Sequence, residues 1–431
     1  MAEAGNADPL RMLRALRERG TRVEFLWGNA RCVLVADPDD ISRALLDRQK
    51  SFARSGGPPR LARLLGEGLL RSQGDRHLRQ RRLVQPAFVP HRMALYETEI
   101  AALAAAHARR IAGRRGACLH RYFLALMLDV VARVLFGERR TGAIRALGRR
   151  ADTAIRCLPS SVGTREWLRG ARFRIALAGI DAQIAGWVRS ARSHASDRGD
   201  LLWALVHAHD ENHDGAGMAD TELRDEVATL LVAGHETTAS ALAWAGWLLS
   251  RHPGWQSELA EEARRGAHSL PLARAVMAET LRLYPPAWVL MRRAIRDYDE
   301  RGLSIPAGHH LVVSPYLAGR DADLFPEPLE FRPERWLQGL EHRLPPGAYF
   351  PFGLGIRRCV GEHLAWIQAT HAISALCRHA GFSPAGAPVN ELPAFTLRPD
   401  RDVRVTIQRF PTQEFSRLAD STSFGPIVQP A

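Results

Sequence analysis

The chain has 431 residues, a net charge of +13 at pH 7 and a hydrophobic content of 46%. No Gly/Ser-rich or Pro-rich linker and no repeat interrupts it, so we expect one large domain over residues 1–410 and a C-terminal tail over residues 411–431. The five cysteines are dispersed and include no CxxC pair, which argues against a disulfide scaffold. The sequence has neither a signal-peptide core nor a run of roughly 18 apolar residues, which argues against a secreted protein and a membrane span. We therefore expect a cytoplasmic protein.

The positive charge comes almost entirely from arginine, since Lys50 is the only lysine. Two interpretations remain open: a compositional bias that raises Ala and Arg throughout the chain, or a basic surface for an acidic partner protein. The basic residues are scattered, and neither zinc-finger spacing nor an RNA-binding motif is present. Nucleic-acid binding is therefore not expected.

Helical periodicity dominates the first half of the chain. A helix over residues 8–20, entered at Asp8-Pro9, precedes a hairpin that turns at Gly28-Asn29, and Asp37-Pro38 begins the next helix. Residues 53–74 are expected to be rich in loops. Residues 75–210 are expected to be mostly helical, with breaks near residues 113–116, 137 and 159–163.

The second half begins with the strongest predicted helix, over residues 219–251, which is apolar on most faces and therefore belongs to the core. The remaining predictions are a helix over 271–284, strands around 303–313, an irregular segment over 322–357, a helix over 360–380 and strands over 394–408. The fold class is mainly α with minor β-sheet.

Residues 352–361 place a cysteine in a turn rich in Gly and Arg, just before an apolar helix. A metal-bound sulfur is a thiolate, and the positive charges of Arg357 and Arg358 favour that anion, as does the N-terminus of the following helix. The glycines allow the backbone to approach a large flat cofactor closely. Taken by itself, Cys359 is also compatible with a purely structural role.

Glu236 and Thr237 lie inside the apolar helix predicted at residues 219–251. A buried glutamate is costly unless it is paired or hydrated, and a threonine within a helix can bond back to a carbonyl, so the pair indicates a small hydrated site. The alternatives are a helix that passes near the surface and a partial zinc motif. The zinc motif HExxH needs histidine at position 239, where the chain has Ala239, so a zinc peptidase is excluded.

Glu279 and Arg282 are three residues apart, which puts an acid and a base on one face of the helix predicted at 271–284. Surface pairs with this spacing are common, but this pair lies in an apolar helix that ends at Pro285-Pro286. Further along the chain, residues 331–336 have the sequence Phe-Arg-Pro-Glu-Arg-Trp.

Together these motifs resemble those of the cytochrome P450 family, in its soluble bacterial type. Residues 352–361 match the family's haem-binding signature FxxGxRxCxG at every fixed position, and residues 233–238 match its (A/G)Gx(D/E)T(T/S) motif. Residues 279–282 and 331–336 resemble its ExxR helix and its PER segment. The resemblance runs from about residue 8 to residue 409 and implies the cytochrome P450 fold, a single large helical domain with minor sheet.

The resemblance implies haem b, iron protoporphyrin IX, as the cofactor. Cys359 would be the axial ligand of the iron, within the signature that ends at Gly361. Phe352 would shield the thiolate, and Arg357 would bind a haem propionate. A thiolate ligand favours cleavage of the O–O bond.

Further basic residues are assigned to the haem propionates by the same resemblance. Residues 74–88 resemble the family's helix whose histidine and arginine reach a propionate, which here are His77 and Arg81. Arg292 would bind a propionate as well, with the adjacent Arg293 as the alternative. Considered singly, each of these residues is also compatible with a solvated surface position.

The resemblance gives Glu236 and Thr237 the catalytic role of relaying protons during oxygen activation, while Thr238 would be structural. Reductive splitting of dioxygen consumes two protons, so a hydrated relay through an apolar pocket is required.

Glu279, Arg282 and Arg335 would form a buried structural network that locks the cysteine loop. Loss of one member of such a network is expected to be severe, because the remaining charges are then buried without a partner.

No flavin or ferredoxin domain is fused to the chain, so electrons would come from NAD(P)H through a separate ferredoxin and ferredoxin reductase. A basic surface that includes Arg76, Arg79, Arg82 and Arg358 would suit an acidic ferredoxin. We expect a monomer.

The substrate pocket would be lined by residues 53–74 and by apolar side chains that follow the two central motifs. These side chains are Val232, Ala233, Ala287, Val289 and Leu290. They favour a lipophilic small molecule such as a terpenoid or polyketide intermediate, although the same composition is typical of plain protein core.

The expected activity is that of a haem-thiolate monooxygenase of secondary metabolism, which inserts one oxygen atom from O2 by hydroxylation or epoxidation. Two alternatives remain. One is a haem-thiolate enzyme with another reaction, such as a peroxygenase or an oxidative-coupling enzyme. The other is a non-catalytic haem-binding sensor, which the acid and alcohol pair disfavours.

Overall fold

The computed structural model describes residues 8–47, 50–57, 59–137, 141–158, 164–194, 196–210, 215–266 and 269–409. Its longer helices are α1 (Pro9–Glu18), α2 (Pro38–Leu45), α3 (Pro59–Leu65), α4 (Gly74–Val84), α5 (Pro90–Ile111), α6 (Leu119–Phe136), α7 (Thr141–Arg156), α8 (Thr164–Arg192), α9 (Leu201–Val206), α10 (Asp220–Arg251), α11 (Pro253–Arg265) and α12 (Pro271–Leu283). Three short helices follow, α13 (Pro315–Ala318), α14 (Glu334–Leu337) and α15 (Leu340–Arg343), before the long α16 (Glu362–His379).

The strands are short and lie before residue 55 and after residue 289, apart from β4. They are β1 (Arg22–Trp27), β2 (Ala30–Val35), β3 (Phe52–Arg54), β4 (Ala117–Cys118), β5 (Leu290–Ala294), β6 (Tyr298–Glu300), β7 (Leu303–Ile305), β8 (His310–Val313), β9 (Ala380–Pro384), β10 (Glu391–Pro393), β11 (Leu397–Pro399) and β12 (Arg404–Arg409).

The first elements form where local chemistry specifies them. The Asp8 carboxylate accepts the Leu10 backbone N–H at 3.0 Å and so caps α1, whose buried face carries leucines at three- and six-residue spacing. The Asp37 carboxylate caps α2 in the same way through the Asp40 N–H, also at 3.0 Å. Between the two helices, β1 and β2 form the antiparallel hairpin that the turn residues predict.

The largest sheet joins segments that are far apart in the chain, in the strand order β1-β2-β8-β5-β3. The β2 strand runs parallel to β8, with Cys32 opposite His310, and β3 runs antiparallel to β5, with Arg54 opposite Arg292. A second sheet has the order β4-β12-β9, and β6-β7 and β10-β11 are separate antiparallel pairs. The strand pairing thus brings Arg54 beside Arg292, which the sequence places far away.

The helical core is built around α10, which packs against α6, α8, α12 and α16. A Cβ atom added to Gly246 would lie 2.5 Å from Leu119 Cδ1, so glycine allows α10 and α6 to approach each other closely. The α16 helix follows the cysteine loop directly and packs on both α5 and α10. Within the part of the chain that the structure describes, no helix combines the length and apolar character needed to cross a membrane.

The predicted fold class is confirmed, but some elements differ from the sequence-based expectation. Residues 53–74 contain most of β3 and the whole of α3, where we expected loops, and neither α11 nor β5 was predicted. The short strands acquire their hydrogen-bond partners only through distant segments, which local periodicity does not reveal. The predicted break at 159–163 and the tail at 411–431 lie outside the described residues.

Candidate functional site

The cysteine loop has a conformation that its glycines specify. A short 3-10 turn covers Gly355–Arg357, and the Cys359 backbone N–H donates to the Phe352 carbonyl at 2.9 Å. Gly355 has a φ of +67°, and a Cβ atom added there would lie 2.5 Å from the Leu45 carbonyl oxygen. Because only glycine tolerates both conditions, the loop is held tightly against the end of α2.

Cys359 is exposed, although its surroundings are those of the interior. Burial raises the pKa of its thiol to about 11, while the Gly361 backbone N–H and the cations Arg81 and Arg358 act in the opposite direction. Arg357, which we also expected to favour the thiolate, has its Nη1 atom 3.1 Å from His77 Nδ1. A further cation at the sulfur, such as a metal ion, would lower this pKa and favour the thiolate.

A group of basic side chains lies beside this loop. Burial, followed by repulsion from Arg292, Arg54 and Arg81, lowers the pKa of the Arg357 guanidinium to about 10. Burial and neighbouring arginines also lower the pKa of Arg54 to about 10. Among the described residues, no carboxylate forms a hydrogen bond or ion pair with Arg54, Arg292 or Arg357. Half-buried cations that lack carboxylate partners form a candidate site for an anionic group.

Two of the predicted propionate ligands have other contacts in this structure. Arg81 donates to the backbone carbonyls of Ile356 and Arg358, at 3.0 and 2.8 Å, and thereby braces the cysteine loop. The Nε2 atom of His77 lies 3.2 Å from the Ile356 carbonyl oxygen. Arg54, by contrast, was not identified from the sequence. Arg54 is linked to the basic group by its position opposite Arg292 in the β3–β5 pair, and the sequence does not reveal this pairing.

One face of α10 is partly exposed in the middle of an otherwise buried helix. The residues on it are Leu230, Ala233, Gly234 and Thr237, whose three- and four-residue spacing puts them on the same side. The Thr237 hydroxyl donates to the Ala233 carbonyl at 2.6 Å, as expected for a threonine within a helix. Thr237 therefore lies on an apolar surface that neighbouring side chains cover only in part.

Glu236 points in another direction, because successive residues leave a helix about 100° apart. It is 6% exposed, and its Oε1 atom accepts a hydrogen bond from the Thr396 hydroxyl at 3.3 Å. Burial raises the pKa of its carboxyl group, against the lowering effects of Arg398 and the Thr396 hydroxyl. Thr238 is also buried and donates to Gln368 Oε1 at 3.3 Å, which links α10 to α16.

Glu279, Arg282 and Arg335 lie together, as predicted, and are buried. Arg282 forms a two-pronged pair with the Glu279 carboxylate at 2.7 and 2.8 Å, and Arg335 Nε lies 3.2 Å from Glu279 Oε1. The Trp336 indole N–H donates to the same carboxylate at 2.8 Å, and its ring packs on Tyr349. Arg282 also donates to the backbone carbonyls of Gly319, Pro328 and Glu330, so the network holds the 319–336 segment directly.

The predicted pocket residues occupy different environments. Ala233 lies on the partly exposed face of α10, Ala287 is exposed, and Val289 and Leu290 are half-buried. Val232 is 1% exposed and packs in the core, so the structure does not place it on that face. Its side chain leaves α10 about 100° away from that of Ala233, a difference that an apolar sequence does not reveal.

The predicted basic surface is partly neutralised within the chain. Arg76 is exposed, but the other three arginines form ion pairs. The pairs are Arg79–Glu222 at 3.2 Å, Arg82–Asp210 at 2.7 Å and Arg358–Glu362 at 2.8 Å. The carboxylates of the first two pairs are 143 and 128 residues away in the chain, so the sequence alone overestimates the free positive charge of this surface.

Comparison with known proteins gives a consistent result. Residues 4–168 and 169–402 match the cytochrome P450 family model. The chain is 34% identical to cyclooctatin synthase of Streptomyces melanosporofaciens, over 90% of this chain and 89% of that protein. It is 30% identical to pentalenene oxygenase of Streptomyces avermitilis, over 92% and 89%. A 6-coordinated cytochrome P450 from Thermus thermophilus superimposes with a TM-score of 0.76 and 31% identity, covering 94% of this chain and 99% of that one.

The chain therefore belongs to the cytochrome P450 family. It is a monooxygenase, an enzyme of the oxidoreductase class. Haem iron is the prosthetic group of this family.

The residues of this chain fit a haem group in three respects. Cys359 is an exposed sulfur next to the N-terminus of α16. Arg54, Arg292 and Arg357 are half-buried cations that would suit the two carboxylates of a haem. The partly exposed face of α10 supplies apolar surface for a flat ring.

Proposed function

We propose that this enzyme inserts one oxygen atom from O2 into a C–H or C=C bond of a lipophilic small molecule in natural-product biosynthesis. The observation that carries the proposal is the adjacent acid and alcohol of α10, with Thr237 on an apolar exposed face and Glu236 buried behind it. Pentalenene oxygenase and cyclooctat-9-en-7-ol 5-monooxygenase, the latter 32% identical, carry names of an unsaturated hydrocarbon and an unsaturated alcohol, which supports an apolar substrate.

The proposal assigns the cofactor-binding roles as follows. When bound, haem supplies the iron chemistry that activates dioxygen. Cys359 would hold the iron through its sulfur, with Phe352 and Gly361 shaping the loop around it. The haem carboxylates would be held by the basic side chains His77, Arg81, Arg292 and Arg357, and we add Arg54 because it lies opposite Arg292 in the β3–β5 pair.

The acid and alcohol of α10 would move protons to the reacting side of the site. Because burial raises its pKa, Glu236 keeps a proton to higher pH than an ordinary glutamate and can serve as a donor. The Thr237 hydroxyl lies one residue further, on the partly exposed face, and can pass a proton towards that face. The apolar residues around it keep bulk water away from the route.

We further propose that the electrons come from NAD(P)H through a separate ferredoxin and its reductase. The enzyme would be a cytoplasmic monomer, with residues 1–410 as its catalytic domain. Within the described part of the chain, Arg79, Arg82 and Arg358 form ion pairs, whereas no ion pair is formed by the exposed Arg76. Reversal of the Arg76 charge should therefore raise the apparent KM for ferredoxin. A KM that changes neither with this substitution nor with salt concentration would contradict the docking surface.

The class assignment is tested by the absorption spectrum of the reduced protein with carbon monoxide. Thiolate ligation should give a red-shifted Soret band, and Cys359→Ser should abolish it. Cys118→Ser is the matched control, because that cysteine is half-buried in β4 and outside the loop. A wild-type protein without the band would refute the proposal.

The reaction type is tested by comparing O2 and hydrogen peroxide as the oxidant. The test compounds are those that shift the haem spin state, and they should be converted to product in the presence of NADPH, ferredoxin, reductase and O2. Product that forms with hydrogen peroxide alone, and not with the electron-transfer proteins, would instead indicate a peroxygenase.

A further inference from the structure

The α8 helix has an exposed side that is nevertheless apolar, which we call its outer face. The large side chains of this face are Trp167, Leu168 and Ile175, which are 70%, 50% and 74% exposed. Exposed alanines continue it along the helix, at Ala178, Ala182 and Ala185. Successive residues leave a helix about 100° apart and rise about 1.5 Å, so these side chains share one sector of about 100° over a length of about 27 Å.

The inner side of α8 is apolar as well. Phe173, Ile180 and Ile184 are each 1% exposed or less and pack in the main hydrophobic core. These three side chains leave α8 about 180° away from the outer face. A surface helix normally has polar residues opposite its buried side, because water solvates them. An outer face of apolar side chains is instead typical of a surface that binds an apolar partner.

Arginines border the outer face on both sides. By the same helix geometry, Arg172 lies about 40° beyond one edge and Arg174 about 20° beyond the other, and both are exposed. Neither forms an ion pair with a described residue. A third arginine reaches the first edge from α7, where Arg150 Nη1 donates to the Gly179 carbonyl at 3.4 Å. Arginines beside an apolar surface can keep their stems on it while their charged ends reach outwards.

The acidic residues of α8 do not neutralise these arginines, because they pair with other elements. Glu166 pairs with Arg60 of α3, and Asp181 pairs with Arg224 of α10 at 2.6 Å. Among the described residues of α8, the outer face therefore combines an apolar centre with positively charged borders. This local charge has the same sign as the net charge of the whole chain, +13.

The positive borders distinguish between two possible occupants. A second copy of the chain, related by a two-fold axis, would place the arginines of one copy against those of the other, and like charges disfavour such a contact. The surface of an anionic bilayer offers apolar chains to the centre of the face and phosphate groups to its borders. Tryptophan is also a residue that favours the boundary between lipid and water.

We propose that the outer face of α8 is a docking surface for an anionic lipid bilayer. The helix would lie flat on the membrane, with Trp167, Leu168 and Ile175 below the headgroups and with Arg172 and Arg174 beside the lipid phosphates. The contact is peripheral, so the chain remains on one side of the bilayer. This inference goes beyond the proposed function and does not depend on it.

The test is flotation of the purified holoenzyme with vesicles of equal parts phosphatidylglycerol and phosphatidylcholine, compared with phosphatidylcholine alone. Binding should be at least tenfold stronger to the anionic vesicles and should weaken as salt is added. Trp167→Ser and Ile175→Ser should each lower the partition coefficient about tenfold, because each removes the burial of one large apolar side chain. Arg172→Gln and Arg174→Gln should each lower it about fivefold.

Matched control variants lie on α5, at the exposed Leu95, Arg109 and Arg110. Leu95→Ser removes an apolar side chain that is 57% exposed, and Arg109→Gln and Arg110→Gln each remove one charge. All three should bind the anionic vesicles as the wild type does. A wild type that binds neither kind of vesicle would overturn the proposal, and so would equal losses in the α5 and α8 variants, which would indicate attraction by net charge alone.

Other occupants of the outer face are identified by two further measurements. Sedimentation without lipid should show the same mass for the wild type and Trp167→Ser, whereas a dimer that this variant dissociates would make the occupant a second copy and overturn the proposal. A raised apparent KM for ferredoxin in Trp167→Ser, with no vesicle binding by the wild type, would make it a protein and overturn the proposal as well. Loss of the thiolate Soret band bears on the proposed function, whereas flotation reports on the membrane contact alone.

Discussion

Glu226 provides a quantitative test of how burial affects this protein. It is 0% exposed near the start of α10, and its Oε2 atom accepts the Leu69 backbone N–H at 3.0 Å. Burial, opposed by that hydrogen bond, raises the pKa of its carboxyl group from 4.5 to about 7. The folded protein therefore holds a proton that the unfolded chain releases between these two values.

The sign of the pH dependence follows from this difference. Between pH 5 and pH 8 the folded state binds more protons at this site than the unfolded state, so the free energy of unfolding falls as pH rises, by about 2–3 kcal/mol. Glu226→Gln keeps an acceptor for Leu69 but cannot ionise. Its stability relative to the wild type should therefore increase by that amount between pH 5 and pH 8.

The assay is thermal unfolding of the wild type and the variant at both pH values and one scan rate. An unfolding entropy of about 0.9 kcal/mol/K, expected for a chain of this length, converts the difference into about 3 °C of relative Tm. Glu222→Gln removes a negative charge one turn earlier in α10, from a side chain that pairs with Arg79. A gain of equal size in this control, or a gain in Glu226→Gln that is independent of pH, would refute the argument from burial.

Three further predictions concern the scaffold and the cofactor site. Glu279→Gln removes the charge that neutralises buried Arg282 and should lower the free energy of unfolding by about 3 kcal/mol, measured with denaturant. Gly68→Ala would put a Cβ atom 2.6 Å from the Asp225 carbonyl oxygen, and should cost about 1–3 kcal/mol and make the 66–72 segment more sensitive to protease. Arg54→Gln should speed haem loss to an apomyoglobin acceptor about tenfold, because a charged hydrogen-bond donor is removed.

Each of these predictions has a matched control in the chain. Glu341→Gln alters an exposed ion pair, Gly56→Ala adds its methyl group to open space, and Arg293→Gln changes the exposed neighbour of Arg292. If Glu279→Gln lowers the free energy of unfolding no more than Glu341→Gln does, the buried-charge argument is wrong. If Gly68→Ala lowers it no more than Gly56→Ala does, the steric argument at Gly68 is wrong. Equal haem loss from the Arg54 and Arg293 variants would remove Arg54 from the anion site.

Several candidate site features could be proposed from the sequence because their residues are close together in the chain. The cysteine loop, the Glu236-Thr237 pair and the Glu279/Arg282 pair each lie within about ten residues, where turn geometry and helical periodicity relate neighbours directly. The structure places the members of the Glu279 network in contact, as expected. The local sequence did not show which way each side chain of α10 points. Val232 and Ala233 are both apolar, but only Ala233 lies on the partly exposed face.

The sequence by itself determined the fold class, the family and the position of the cysteine loop, because these depend on composition, periodicity and short motifs. Only the tertiary structure decided which distant side chains meet. It pairs Arg54 with Arg292 across two strands, brings Thr396 to Glu236, and provides Asp210 for Arg82. These contacts depend on strand register and helix packing, in which residues more than a hundred positions apart become neighbours, and no local pattern encodes that distance.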